Sequence, residues 1–118
     1  GDDVLRWMAS RLRQMVAEEA GVIAAGEALA AADVDYIERR ITSIFGQLYE
    51  DGLVPFDVDG DIPDAYMLPL AQVMGIQIAA GFGLLTPDMP PKAGEGMASL
   101  RRLKARPYYG TPARATYY

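Results

Sequence analysis

The sequence predicts an all-α chain, a helical hairpin or small four-helix bundle followed by an extended C-terminal arm. Four stretches repeat apolar residues at spacings of three and four, and no two segments alternate as paired strands would. The last fourteen residues hold Pro107, Gly110 and Pro112 and cannot continue a helix. A chain of 118 residues, 51% hydrophobic and 23% charged, suits one folded domain, here 1–104, with the arm at 105–118.

The first helix is expected from Asp3 to Glu19, where Val4, Leu5, Met8, Leu12, Met15 and Val16 form one stripe and Arg6, Arg11 and Arg13 lie on other faces. Asp2 or Asp3 is placed to cap it, and Gly21 to end it with a left-handed residue. Val22 to Ala32, rich in Ala with Gly26 in the middle, reads as a loop. A second helix should run from about Asp33, its N-cap, to Asp51, with Gly52 as the stop. Its stripe is Val34, Ile37, Ile41, Ile44 and Leu48, widened by Phe45, and a hairpin with the first helix would cover it.

Leu53 to Pro63, with two prolines, a glycine and alternating acids, reads as an exposed connection. Met67 to Leu85 then gives 19 residues without a charge, long enough for a buried third helix or for a membrane span. Pro69 belongs near its start, and Ala71, Gly75, Ala79 and Gly83 form a ridge of small residues that would admit a neighbouring backbone. The prolines of Thr86 to Pro91 should end this element. A shorter fourth helix is expected over Lys92 to Lys104, with Met97, Leu100 and Leu103 on one side and a basic last turn.

The chain has neither His nor Cys, which removes imidazole acid–base chemistry, thiol nucleophiles and the common zinc sites. Ser10, Ser43 and Ser99 therefore lack a base, and Lys92 and Lys104 lie on charged surface segments. Asp57-Val58-Asp59-Gly60-Asp61 matches the start of a calcium loop, but Ile62 stands where its glycine belongs and Leu68 where its last carboxylate belongs, leaving a solvated turn. Gly81-Phe82-Gly83 lacks the third glycine and the preceding strand of a dinucleotide fingerprint. No enzyme, no catalytic residue, no metal and no cofactor are expected. The acidic start, Gly1-Asp2-Asp3, is unlike a signal peptide, and Arg6 breaks a myristoylation pattern.

Charge is divided along the chain. Residues 1–100 carry 16 acids against 6 bases, whereas 101–118 carry 5 bases and no acid. Four of the seven tyrosines fall in the last eleven positions. Tyr and Arg dominate interface hot spots, so the candidate partner-binding residues are Arg106, Pro107, Tyr108, Tyr109, Arg114, Tyr117 and Tyr118. The bland alternative is a free basic tail. Stacking on single-stranded nucleic acid is the weaker rival, because the body is acidic.

A set of short motifs spans nearly the whole chain. A first helix over Leu12 to Gly21 runs into Val22-Ile23 and an Ala-rich loop, and a second closes at Glu50-Asp51-Gly52-Leu53. Ile62-Pro63-Asp64 leads into an Ala-rich third helix ending at Phe82-Gly83. Leu100-Arg101-Arg102-Leu103 and Arg106-Pro107-Tyr108 follow. This order resembles the head-to-tail adaptors of short-tailed and related phages, also called tail accessory factors or packaged-DNA stabilisation proteins. The resemblance implies a structural virion protein that forms a ring below the portal, connects it to the tail and helps retain packaged DNA. Its partners would be the portal protein, a tail nozzle or tail tube protein, and neighbouring copies of itself in a homo-dodecamer. DNA would be passing cargo in the lumen, and no membrane is involved. The site of action would be the neck of the virion, after assembly in the host cytoplasm. The arm is short for that family and is not expected to reach deep into a portal. Two other classes compete, a small membrane-associated protein with a single span at 67–85 and an accessory nucleic-acid-binding protein acting through the arm.

Overall fold

A computed structural model describes residues 2–56 and 62–105, with side chains described from Ser10 onward. Four helices follow one another, α1 (Asp2–Ala20), α2 (Ala31–Glu50), α3 (Asp64–Phe82) and α4 (Met89–Ala105), with no strand among the described residues. The predicted all-α class holds, as a small helical bundle. The pairing differs from the expected hairpin, because α1 packs mainly on α3, α3 also carries α4, and α2 touches α1 and α3 over a shorter stretch.

Residue size explains that arrangement. α3 presents Ala71, Gly75 and Ala79, all buried, and a Cβ on Gly75 would lie 3.1 Å from the Glu19 Cβ and 3.5 Å from the Ala20 amide nitrogen. α1 answers with Ala17 and Ala20, both fully buried. On its other side α3 meets Gly96 of α4, where a Cβ would lie 2.8 Å from the Pro69 carbonyl oxygen. Backbones come this close only where side chains are absent or small. The ridge expected from the sequence is therefore a helix interface as far as Ala79, while Gly83 is exposed and ends the helix.

α2 packs through Ile37, Ile41, Ile44, Phe45 and Leu48, whose bulk keeps its backbone farther from α3. These residues match the predicted stripe apart from Val34, which is half-buried. Together with Leu12, Val16, Leu70, Met74, Ile78 and Leu100 they make one apolar core with no buried charged side chain among the described residues.

Glycine stops act as expected. At Gly21 (φ 80°) the Val22 N–H donates to the Ala17 carbonyl at 3.0 Å, and at Gly52 (φ 75°) the Leu53 N–H donates to Leu48 at 2.9 Å. Starts are less faithful to the sequence. α2 begins two residues before Asp33, behind an Ala30 that offers no side-chain cap, so Asp33 is a first-turn acid facing the positive end of the helix. α4 begins at Met89 and contains Pro90 and Pro91, because first-turn N–H groups have no helical acceptor and their loss costs little there.

The connection after α2 is not wholly exposed. Val54 and Ile62 are buried, and Phe56 sits between Phe45 and Tyr66, 5.7 and 4.9 Å away between ring centroids. Asp57-Val58-Asp59-Gly60-Asp61 lies outside the described residues. Among the described helices α3 alone is long and apolar enough to cross a membrane, and 56% of its most apolar window is buried inside the protein.

Candidate functional site

The predicted partner-binding residues Arg106, Pro107, Tyr108, Tyr109, Arg114, Tyr117 and Tyr118 lie outside the described residues. The structure does describe where that arm leaves the domain. α4 continues to Ala105, one residue into the predicted arm, and its last turns carry Arg101, Arg102 and Lys104. The Lys104 Nζ lies beside Gly52, 3.6 Å from where a Cβ would stand, so a cation rests at the negative end of α2. Arg102 Nη2 donates to the Ser99 Oγ at 2.8 Å across one turn. The arm thus departs from the end of the bundle where α2 finishes with Glu50 and Asp51.

Two grooves flank α4. One, of about 560 Å³, is lined by Ala65, Pro69, Ser99, Arg102, Leu103 and Ala105, and so opens where the arm begins. Pro69 forms part of its wall and has no N–H, so it gives the Ala65 carbonyl no helical donor. The other, of about 460 Å³, lies between α2, α3 and α4, with Ile44, Leu48, Val73 and Met97 as apolar lining and Gln47 and Gln77 as amides. Exposed apolar side chains are scattered, with Leu84 and Leu85 after α3, Leu68 near its start and Tyr49 near the end of α2.

No family model, curated protein or solved structure matches this chain.

A third feature, at the opposite end of α1 from its start, was not legible in the sequence. Gly21 to Ala30 is held against α1 by a polar cluster. Gln14 Nε2 donates to the Glu27 carbonyl at 2.9 Å and to Glu18 Oε2 at 3.0 Å, Gly26 N–H donates to the same Glu18 oxygen at 2.9 Å, and Ala24 N–H donates to Glu27 Oε1 at 2.7 Å. The Gly26 N–H, then the Gln14 amide, hold the Glu18 carboxyl below its ordinary range. Only the Gly26 signal, a glycine in a loop, pointed there; the acceptors are ordinary polar residues of a helix face.

Other polar side chains among the described residues join one element to the next. Asp88 is held low first by the Thr86 hydroxyl, then by its own N–H and by Lys92, whose Nζ is 3.3 Å away, and it fixes the turn into α4. Ser10 Oγ accepts from Arg13, whose guanidinium also pairs with Glu38 of α2, and Arg11 pairs with Asp64 at 2.9 Å. These two ion pairs tie α1 to α2 and to the start of α3. No group of three or more Asp or Glu able to hold a metal ion occurs among the described residues.

Proposed function

We propose that this chain is a non-catalytic structural subunit, a head-to-tail adaptor that assembles as a ring beneath a phage portal and anchors through its C-terminal arm. The observation that carries the reading is the register between motifs and elements. The sequence motifs that resemble the adaptor family fall at boundaries of the fold, with α1 stopping at Gly21, α2 at Gly52, α3 spanning Asp64 to Phe82, and Leu100-Arg101-Arg102-Leu103 closing α4. Charge supports it as well. No Lys or Arg occurs from Ile41 to Pro91, so the body around α3 presents little to grip a phosphate backbone, as suits a channel through which DNA passes. The basic, tyrosine-rich arm suits an intersubunit crevice of a larger partner.

In this reading the portal protein takes the arm, neighbouring copies complete the ring, and a tail nozzle or tail tube protein meets the opposite face. The burial of α3 between α1 and α4 favours this reading over a membrane span, because its small-residue face is already occupied by protein. Electron-microscope class averages of the full-length chain with the portal of its phage test the proposal. The expected image is an added ring with the rotational symmetry of an adaptor layer; a portal without added density would overturn it.

A further inference from the structure

α4 is held by less apolar surface than the other helices. No helix but α3 runs alongside its backbone. Its buried residues are Met89, Gly96 and Leu100, one of which has no side chain, whereas α2 buries five and each of them is large. At Gly96 the helix lies against the Pro69 carbonyl and the Gln72 and Val73 side chains, which brings the two backbones together while removing little apolar area from water, and apolar area is what holds a helix in place. The flanks of α4 are the two grooves, about 460 Å³ toward α2 and about 560 Å³ beside the start of α3. Lys104 reaches the end of α2 through a long and exposed side chain.

Polar ties follow the same division. Arg11–Asp64 and Arg13–Glu38 join α1 to α3 and α2, while the described side-chain bonds of α4 stay local, from Lys92 to Asp88 and from Arg102 to Ser99. Nothing buried restrains the connection from α3. Gly83, left-handed at φ 71°, and each residue after it as far as Asp88 are exposed, so α4 can swing about this segment without pulling a side chain out of the core. The close fit also makes the movement all-or-none. A gap of about 1 Å forfeits up to half of a van der Waals contact, so once Gly96 parts from Pro69 little is left to hold α4 partly docked, and Leu100 leaves with it.

We infer that α4 is a hinged latch on α3, which lifts as one helix about Gly83–Asp88 while α1, α2 and α3 remain packed. The open form uncovers the uncharged face of α3 at Pro69, Gln72 and Val73, and it moves Arg101, Arg102 and Lys104 away from the acidic end of α2 at Glu50 and Asp51. Closed and open forms give the domain two states, whose balance is shifted by anything that binds one better than the other. The latch is a property of the isolated chain and stands or falls independently of any portal.

Native-state hydrogen exchange of the full-length chain, followed residue by residue in low urea, decides this. Amides from Gly96 to Arg101 are expected to exchange through one shared opening, at least about tenfold less protected than those from Ile41 to Leu48 and with a smaller urea dependence. Ile41→Val trims the part of the core that stays closed, so it should lower protection in α2 by about two- to tenfold and leave that of α4 unchanged. Equal protection and equal urea dependence in the two helices would overturn the inference, because α4 would then open only with the whole domain. So would an Ile41→Val effect of the same size in both helices, or protection lower in α2 than in α4. Exchange in α4 that is independent of urea and differs from residue to residue would overturn it as well, being the mark of fraying rather than of a lifted helix.

Discussion

α2 and α4 both pack on α3, yet by opposite means. α4 approaches until Gly96 lies against the Pro69 carbonyl, so that contact depends on missing side chains. α2 stands off behind Ile37, Ile41, Ile44, Phe45 and Leu48, and that contact depends on present ones. The difference teaches which changes each interface tolerates. A close backbone contact resists added atoms, because neither wall can move aside as a side chain would, whereas a contact through large residues resists removed atoms, because they leave a cavity.

Removing atoms from α2 should have the larger effect. Ile41, 5% exposed at the centre of the stripe, is expected on truncation to Ala to lose about 2–5 kcal/mol in urea unfolding. A loss below about 1 kcal/mol would mean that α2 contributes little to the core.

Glycine-to-alanine changes sharpen the comparison through their sign. Alanine favours a helix over glycine by about 1 kcal/mol. Gly46 of α2 is exposed with nothing within 4 Å of a Cβ, so Gly46→Ala should gain about that amount. Gly96→Ala should instead lose about 1 kcal/mol net, because overpacking against a carbonyl oxygen outweighs the helical gain. Equal shifts in thermal midpoint for the two variants would contradict the close approach of α4.

A smaller effect belongs to the tether on α1. The folded Glu18 carboxyl is held below its unfolded value, so its contribution is complete above the unfolded value and is lost as pH falls through the folded one. Glu18→Gln should therefore flatten the acid limb of the stability profile, the part that falls as pH drops below the ordinary Glu range. An unchanged acid limb would show that Gly26 and Gln14 do not hold the carboxylate in solution.

The same contrast governs what could be read from the sequence. α2 is amphipathic, so Ile37, Ile41, Ile44 and Leu48 named their own face. α3 is apolar nearly all round, with buried residues from Tyr66 to Ala79, so its period could not say which neighbour it faces; only the spacing of Ala71, Gly75 and Ala79 hinted at a close one. Pro90 and Pro91 looked like breakers because sequence alone does not reveal that they occupy a first turn. Val54 and Ile62 were hidden among acids of an apparently exposed connection. The groove at Ala65, Pro69 and Leu103 has no linear signature, since it needs α3 and α4 to cross at one end. The arm residues, by contrast, were legible only as composition, through a charge reversal and four tyrosines.

Whether that arm is what joins this domain to a larger assembly is the central question, and co-sedimentation with a portal addresses it directly. The full-length chain and a chain ending at Ala105 are compared in matched salt, with circular dichroism confirming equal helicity. Interface anchors of the Tyr and Arg type contribute about 2 kcal/mol or more each, so loss of residues 106–118 is expected to abolish co-sedimentation while α1 to α4 stay folded. Equal binding by the shortened chain would contradict the arm's role and move the docking surface onto the helices.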